Sequence, residues 1–337
     1  MGVMEERPEY KPVACNHCGS DYPDFRYQLN QCAIVTCKTC NLSYVNPRAS
    51  SSWLQQKLQE WAHIDTVDQE RLRIAFEPST MDLYQRYLGW IKQNSSVFSQ
   101  KKLLDIGCSV GAFLVQARKN NYQVQGLEIG EASANYALEN RDLDVKTGSL
   151  YDYDLEPGTY DCITMMEVIE HLEDPTGALQ RIHQWLKPGG TLLLTTPNFN
   201  SLYRRLFGAR WWVVNCEDEH IYFFTVQTLT ELLNDNGYKV RLIHTRGFDV
   251  AGMLKQAVKG MRKNAHQSHS PEEDGHYFEA RDSKEKIKQV LARLGILSLV
   301  RSLLRGVDWL ASQRWSPIFG LGEQMIIVAN RRQDRPE

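Results

Sequence analysis

From Lys101 onward, short apolar runs alternate with segments of helical length. The runs are KLLDIG, YQVQGLEI, YDCITMME and TLLLTTP, and the alternation predicts βαβ units around a parallel sheet. The helix leading into TLLLTTP is expected to begin at Asp174 and Pro175, a cap followed by proline in the first turn, and to stop at KPGG. A later helix, TVQTLTELLNDNG, takes Thr225 as its cap and Gly237 as its stop. Two more strands follow, YKVRLIHT and EQMIIVANR, separated by about 75 residues, far more than compact domains usually place between neighbours. Before this core, NPRASSSWLQQKLQEW moves from turn residues into helical spacing, and STMDLYQRYLGWIKQN predicts an amphipathic helix capped by Ser79 or Thr80. No internal repeat is present.

The long connection divides by composition. KNAHQSHSPEEDGHYFEARDSKEK is polar and aromatic-poor, as mobile loops are, and its His266, His269 and His276 match no metal-ligand spacing. Beyond it, Ile287, Leu291, Leu294, Leu297, Val300, Leu304 and Val307 fall at helical spacing. Residues 283–315 carry seven Lys and Arg against Glu285 and Asp308. Such a basic amphipathic stripe either packs on its own domain or makes peripheral membrane contact, here through 284–312. The aromatic run RLFGARWWVVN reads as a lid over a site or as a surface patch for a partner.

At 337 residues and 42% hydrophobic content, the chain can bury one sizeable core and build additions to it. The net charge of −2 supplies no global field for nucleic acid or anionic lipid. With neither a targeting pattern at the N-terminus nor an apolar run of membrane-spanning length, a cytoplasmic location is expected. Eight cysteines in such a chain point to metal ligands and core packing rather than disulfides. Cys15 and Cys18 form one C-x2-C, Cys37 and Cys40 a second, with 18 residues between the pairs, the spacing of a four-thiolate zinc ribbon. Gly19 and Asn41, just after each pair, can take the open geometry of a knuckle turn. Four protein ligands leave no open coordination position, so the zinc is expected to be structural. Cys32 is left over as a packing residue.

The stretch LLDIGCSVGAFL ends a strand on an acid and two glycines. A dinucleotide-binding turn reads G-x-G-x-x-G, whose middle glycine lets the backbone approach a pyrophosphate. Here Ser109 stands between Gly107 and Gly111, and Asp105 precedes the turn. That carboxylate repels phosphates but suits the ammonium and sulfonium charges of S-adenosylmethionine. Glu128 ends the next strand, 17 residues after Gly111, and is spaced to accept both ribose hydroxyls.

LLDIGCSVGAFL, GLEIG, YDCITMMEVIEHLEDP and LKPGGTLLLTTPN together resemble the successive motifs of class I S-adenosylmethionine-dependent methyltransferases. The resemblance covers roughly residues 80–245 and the final strand. It implies an α/β, Rossmann-like seven-stranded sheet of order 3-2-1-4-5-7-6, with an N-terminal zinc ribbon and a helical insertion between the last two strands. The domains expected are a zinc-ribbon leader at 1–48, a helical linker at 49–100, a methyltransferase core at 101–248 and 317–332, and a capping insertion at 249–316. The leader, with CNLSYVNPR, resembles the zinc-binding leader of some bacterial members that modify sugars, lipids or other small metabolites. By the same resemblance Asp105, Gly107 and Gly111 line the methionine portion, Glu128 holds the ribose, Ser149 and Leu150 flank the adenine, and Cys108 and Ile129 also contact the cofactor. Met166 and Glu167 lie beneath the cofactor. At Ser149 the sequence departs from the family, where a polar side chain such as Asp often meets the adenine amino group.

Methyl transfer from a sulfonium is an in-line displacement, so few catalytic groups are needed beyond alignment and a proton acceptor. His171, in EVIEHLEDP, and His220, in NCEDEHIYFF, are the candidates, because an imidazole with its ordinary pKa of about 6.5 can serve as base near neutrality. The alternative for His171 is bonding a helix start and shaping the pocket; for His220 it is an ordinary turn. Asp218 and Glu219 either orient a base or face water, and His183, among Leu179, Ile182 and Leu186, is a packing residue. The expected reaction is methylation of a small-molecule acceptor. An RNA methyltransferase gripping its substrate through the ribbon competes with this, but residues 1–50 balance five basic against five acidic side chains and offer no stripe for phosphates. A non-catalytic scaffold is the third reading, opposed by the intact Asp105, Gly107, Gly111 and Glu128. Oligomeric state and the methylated atom have no signature in the sequence.

Overall fold

The computed structural model describes residues 9–64, 66–95, 101–215, 220–247 and 321–333. The leader contributes β1 (Tyr10–Lys11), β2 (Pro23–Gln28), β3 (Ala33–Cys37), β4 (Ser43–Asn46) and β5 (Arg48–Ala49). Helices α1 (Ser51–Ile64), α2 (Gln69–Ala75) and α3 (Pro78–Asn94) follow. The core then runs β6 (Lys101–Ile106), α4 (Ala112–Lys119), β7 (Tyr122–Glu128), α5 (Glu131–Arg141), β8 (Asp144–Thr147), β9 (Tyr160–Met166), α6 (Pro175–Trp185), β10 (Leu186–Pro197) and α7 (Leu202–Phe207). It finishes with β11 (Tyr222–Phe223), α8 (Val226–Asp235), β12 (Tyr238–Arg246) and β13 (Gln324–Arg331).

Seven strands form the central sheet, ordered β12-β13-β10-β9-β6-β7-β8. Numbered along the chain from β6, that is 3-2-1-4-5-7-6 read from the β8 edge, as the motifs imply. Strand β13 runs antiparallel to β10 and β12, while β10-β9, β9-β6, β6-β7 and β7-β8 pair in parallel. The middle strands are apolar runs because helices cover both faces: Leu103, Leu104, Ile163, Met165 and Leu192 to Leu194 are all buried. Helix α6 starts as expected, with Asp174 Oδ1 accepting from the Gly177 N–H at 2.9 Å. In α8 the Thr225 cap is completed by Thr228, whose hydroxyl accepts from the Thr225 N–H at 2.9 Å.

Several local expectations need correction. Helix α3 begins at Pro78 with Glu77 in the cap position, and Ser79 donates its hydroxyl to Glu77 rather than capping the helix, because proline's fixed φ sets the first turn. Helix α6 ends at Trp185, and KPGG lies in an irregular beginning of β10, whose pairing with β9 skips from Leu186 to Thr191. Strand β8 escapes sequence reading because its four residues, on the sheet's edge, are exposed or half-buried and show no apolar alternation.

Strand β11 pairs with β4, so a two-residue core segment completes the leader sheet, β11-β4-β3-β2. One face of that sheet, with Val35 and Tyr44, joins the main core. The other, with Ile34 and Val45, covers Phe199, Tyr203, Trp211, Val213 and Val214. Within the tryptophan-rich run Trp211, Val213 and Val214 are each 1% exposed, withdrawn from water beneath the leader rather than offered as a surface patch, while Leu206 stays exposed. The side chain of Cys32 packs in the same cluster, as expected of the spare cysteine. His183 likewise packs, its ring edge-on to Tyr238 with centroids 5.4 Å apart. At the knuckle end, Asn16 donates to Asp174 at 2.9 Å and accepts from the Thr176 N–H at 3.1 Å, docking the leader on the start of α6.

The insertion at 249–316, its stripe at 284–312, its histidines, and Asp218 and Glu219 lie outside the described residues. Among the described residues, no helix is long and apolar enough to cross a membrane.

Candidate functional site

Strand β6 delivers its carboxyl end into a loop built on left-handed backbone. Gly107 has φ +75°, Ser109 +49° and Gly111 +76°, and Gly111 takes the cap position of α4. The glycines are required by space as well as by φ. A Cβ on Gly107 would sit 2.4 Å from Val168 Cγ2, and one on Gly111 2.4 Å from Leu143 Cδ1. The Gly107 and Cys108 N–H groups both donate to the Leu127 carbonyl, at 2.8 and 3.2 Å, which pins the loop to the end of β7.

Glu128, at that end, is 4% exposed. Its Oε2 accepts from the Ser109 N–H at 2.6 Å and its Oε1 from the Gly130 N–H at 2.8 Å. A carboxylate is an acceptor only, with about four lone-pair positions on its two oxygens, so Glu128 suits a ligand that brings hydroxyl donors. Asp105 is fully enclosed: Oδ1 accepts from the Thr164 hydroxyl at 2.6 Å, while the buried Oδ2 has no partner. Burial, opposed by the Thr164 bond and reinforced by the Glu128 charge, pushes its carboxyl up to about 7. An enclosed carboxylate with one orphaned oxygen, next to a tight glycine loop and a second buried carboxylate, fits a ligand bringing an ammonium group and hydroxyl donors.

Of the remaining predicted contacts, Ile129 is half-buried beside Glu128. The Ser149 N–H donates to Asp152 at 2.7 Å and Leu150 is buried in the main core. The Asp152 carboxylate thus lies against the Ser149 backbone. Met166 ends β9 half-buried, and Glu167 follows at φ +54°, its Oε1 accepting from the Thr195 hydroxyl and the Gln324 amide, each at 2.7 Å. Arg71, on α2, donates to the Ser109 hydroxyl at 3.2 Å and ties the linker helices to the glycine loop. No periodicity or motif marked it.

The two histidine candidates meet. A short 3-10 turn at Ile169–His171 follows β9, and the rings of His171 and His220 lie 4.7 Å apart between centroids. His220 is buried, with Nδ1 3.2 Å from the Val213 carbonyl. A carbonyl only accepts, so Nδ1 carries the proton there and the basic lone pair of the neutral ring falls on Nε2. Glu170, buried below, accepts from the Thr196 hydroxyl at 2.9 Å through Oε2 and leaves Oε1 orphaned, 4.0 Å from His171 Nε2. Burial, followed by the Glu167 charge, holds the Glu170 carboxyl well above the usual carboxylate range. The ligand atoms of Glu170, His171 and His220 all lie within 4.8 Å of one another, an arrangement able to pass a proton or to hold a cation. Sequence reasoning chose both histidines but missed Glu170, whose burial no local pattern betrays.

A second cluster sits in the leader. The sulfurs of Cys15, Cys18, Cys37 and Cys40 lie within 4.8 Å of one another, with Cys15–Cys40 and Cys18–Cys37 each at 3.5 Å. A tetrahedron with Zn–S bonds of about 2.3 Å has edges of about 3.8 Å, so four sulfurs at this spacing fit the ion. Gly19 at φ +73° and Asn41 at φ +62° take the predicted open turns, their N–H groups donating to Cys15 and Cys37 carbonyls.

Residues 50–243, over half of the chain, match the family described as a methyltransferase domain, and the chain belongs to that family. It is 30% identical over 174 residues to the ubiquinone biosynthesis O-methyltransferase of Leptothrix cholodnii, covering 48% of this chain and 73% of that one. To the enzyme of the same name from Bordetella bronchiseptica it is 32% identical over 122 residues, spanning 34% of this chain and 49% of the relative. A solved S-adenosylmethionine-dependent methyltransferase from Thermotoga maritima, described as a possible histamine N-methyltransferase, aligns with a TM-score of 0.46 at 16% identity, over 83% of this chain and all of that one. The protein is a class I S-adenosylmethionine-dependent methyltransferase with a cysteine-rich leader.

Proposed function

We propose that the protein moves the methyl group of S-adenosylmethionine to an oxygen of a small metabolite, a sugar, lipid precursor or related compound, in the cytoplasm. The observation that carries this reading is the juxtaposition at one sheet edge: β6 and β9 are neighbours, and their carboxyl ends lead into the glycine loop and into the paired histidines. Relatives named for O-methylation in ubiquinone biosynthesis favour oxygen as the acceptor atom. In this reading Glu128 and Ile129 hold the ribose, Asp105, Gly107, Cys108 and Gly111 surround the methionine portion, and Ser149 and Leu150 flank the adenine. Met166 and Glu167 close the floor. The cofactor supplies an electrophilic methyl carbon. His171 and His220 align the acceptor hydroxyl and take its proton as the O–C bond forms and the C–S bond breaks, leaving S-adenosylhomocysteine. Cys15, Cys18, Cys37 and Cys40 hold a structural zinc ion, and the balanced charge of the leader leaves nucleic acid without a binding stripe. Transfer of tritiated methyl groups to fractionated metabolites and to total RNA tests the reading: label is expected in small hydroxyl-bearing compounds, and label in RNA alone would overturn it.

Two variants probe the roles. Replacing both His171 and His220 with alanine is expected to lower turnover by about 100-fold or more while cofactor affinity stays within twofold, since positioned proton acceptors contribute about 10²–10⁴. Turnover within a few-fold of the parent would remove both from the chemistry. For Asp105, the carboxyl pushed up to about 7 by burial is mostly protonated below neutrality, yet the ligand's ammonium prefers the carboxylate. Affinity for S-adenosylmethionine should therefore rise with pH, by about tenfold between pH 6 and 8 as the ionised fraction grows. Asp105→Asn should flatten that dependence in calorimetric titrations at the two pH values; an equal slope in the variant would assign the titration to another group.

A further inference from the structure

A second cleft lies between the leader sheet and the core, lined by Arg26, Tyr27, Thr36, Asn41, Ser43, Phe199, Arg204 and Thr225, with a volume of about 460 Å³. Among the described residues it is lined by two guanidinium groups and no carboxylate. Both groups are held in place by neutral partners. Arg204 lies over the Phe199 ring, 4.5 Å from its centroid, and donates through Nη1 to the Tyr27 hydroxyl at 3.1 Å. Its Nε is buried and has no acceptor. Arg26 donates through Nε to the Thr36 hydroxyl at 3.0 Å, and Thr36 in turn shares a 2.8 Å bond with Ser43. Among the described residues neither arginine is ion-paired, although Lys38 and Asp24, close by on the same sheet, pair with each other at 3.0 Å.

Two like charges lining one cleft repel, and the buried Arg204 Nε–H without an acceptor costs free energy. An anion entering the cleft relieves both. We propose that this cleft is a binding site for a phosphate group, the dianion that matches two guanidinium forks in charge and geometry. A carboxylate brings one charge where phosphate brings up to two. The volume exceeds what phosphate alone needs and lies in the range of small-molecule sites, with the Tyr27 and Phe199 rings at its wall, edge-on with centroids 6.3 Å apart. An organic phosphate fits this better than the free ion. The site does not depend on the reading of the methyl-transfer centre, because Trp211, Val213 and Phe223, which pack around Phe199, are distinct from the glycine loop.

The test is calorimetry on the full chain at constant ionic strength, with inorganic phosphate and phenyl phosphate as probes. Saturable binding of phenyl phosphate at one site is expected, weakened tenfold or more in Arg26→Gln and in Arg204→Lys, with S-adenosylmethionine affinity unchanged as the control for folding. Arg26 is exposed, so its variant should keep the fold even if Arg204→Lys does not. Phenyl phosphate binding more tightly than inorganic phosphate supports an organic ligand; equal affinities support free phosphate in the same site. Absence of saturable binding by either probe at millimolar concentration, or parental affinity in Arg26→Gln, would overturn the proposal.

Discussion

Alanine at Glu128 is expected to weaken S-adenosylmethionine binding by about 30- to 1,000-fold, the equivalent of roughly 2–4 kcal/mol for two hydrogen bonds to a carboxylate. The proposed function gives this residue two duties. Its oxygens accept the Ser109 and Gly130 N–H groups, fixing the loop, and in the proposed function the same carboxylate accepts the ribose hydroxyls. Loss of the carboxylate should therefore both remove the ribose acceptors and release the loop from its pinned form. Glu128→Gln separates the two: it keeps the length and part of the acceptor capacity, so its affinity should fall between parent and alanine variant. Calorimetry on all three proteins reads the series, with thermal melting as the control for folding. Unchanged affinity in the alanine variant would place the cofactor elsewhere.

The second large effect is expected at the cysteine cluster. Four sulfurs within 4.8 Å of one another are held apart from mutual repulsion only by a cation once they ionise, and metal binding to such sites is coupled to folding by as much as about 10–16 kcal/mol in small zinc domains. Here the leader also buries Ile34, Val35, Tyr44 and Val45 against the core, so part of its stability is independent of metal. Cys37→Ser should still lose the zinc and several kcal/mol, loosening the cover over Phe199 and Trp211. Cys32→Ser, in the neighbouring cluster but outside the four, should keep the metal. Elemental analysis and melting curves decide this: parent protein and Cys32→Ser are expected to carry one zinc per chain and Cys37→Ser none. Parent protein prepared without chelator and free of zinc would refute the assignment.

What the sequence disclosed follows from how local each signal is. The strands β6, β9, β10 and β13 are continuous apolar runs because both sheet faces are covered, and such runs are visible without knowledge of partners. The glycine loop and the two C-x2-C turns carry their own backbone demands, so Gly107, Gly111, Gly19 and Asn41 could be placed in turns from residue type alone. Strand β8 and strand β11 could not, since each is short and owes its existence to a neighbour distant in sequence. Glu170 and Arg71 went unseen for the same reason: one acquires its character from burial, the other from reaching Ser109 across 38 positions. That Trp211, Val213 and Val214 pack against the leader could not be read from the sequence, because their partner, the second face of the leader sheet, is assembled only in three dimensions.

The most direct test is a crystal structure of the protein with S-adenosylhomocysteine. We expect both ribose hydroxyls within hydrogen-bond distance of Glu128, the amino-acid portion lying over Gly107 to Gly111 near Asp105, and the sulfur directed toward His171 and His220. Ligand density away from the carboxyl ends of β6 and β7, or bound ligand whose ribose hydroxyls make no hydrogen bond to Glu128, would contradict it.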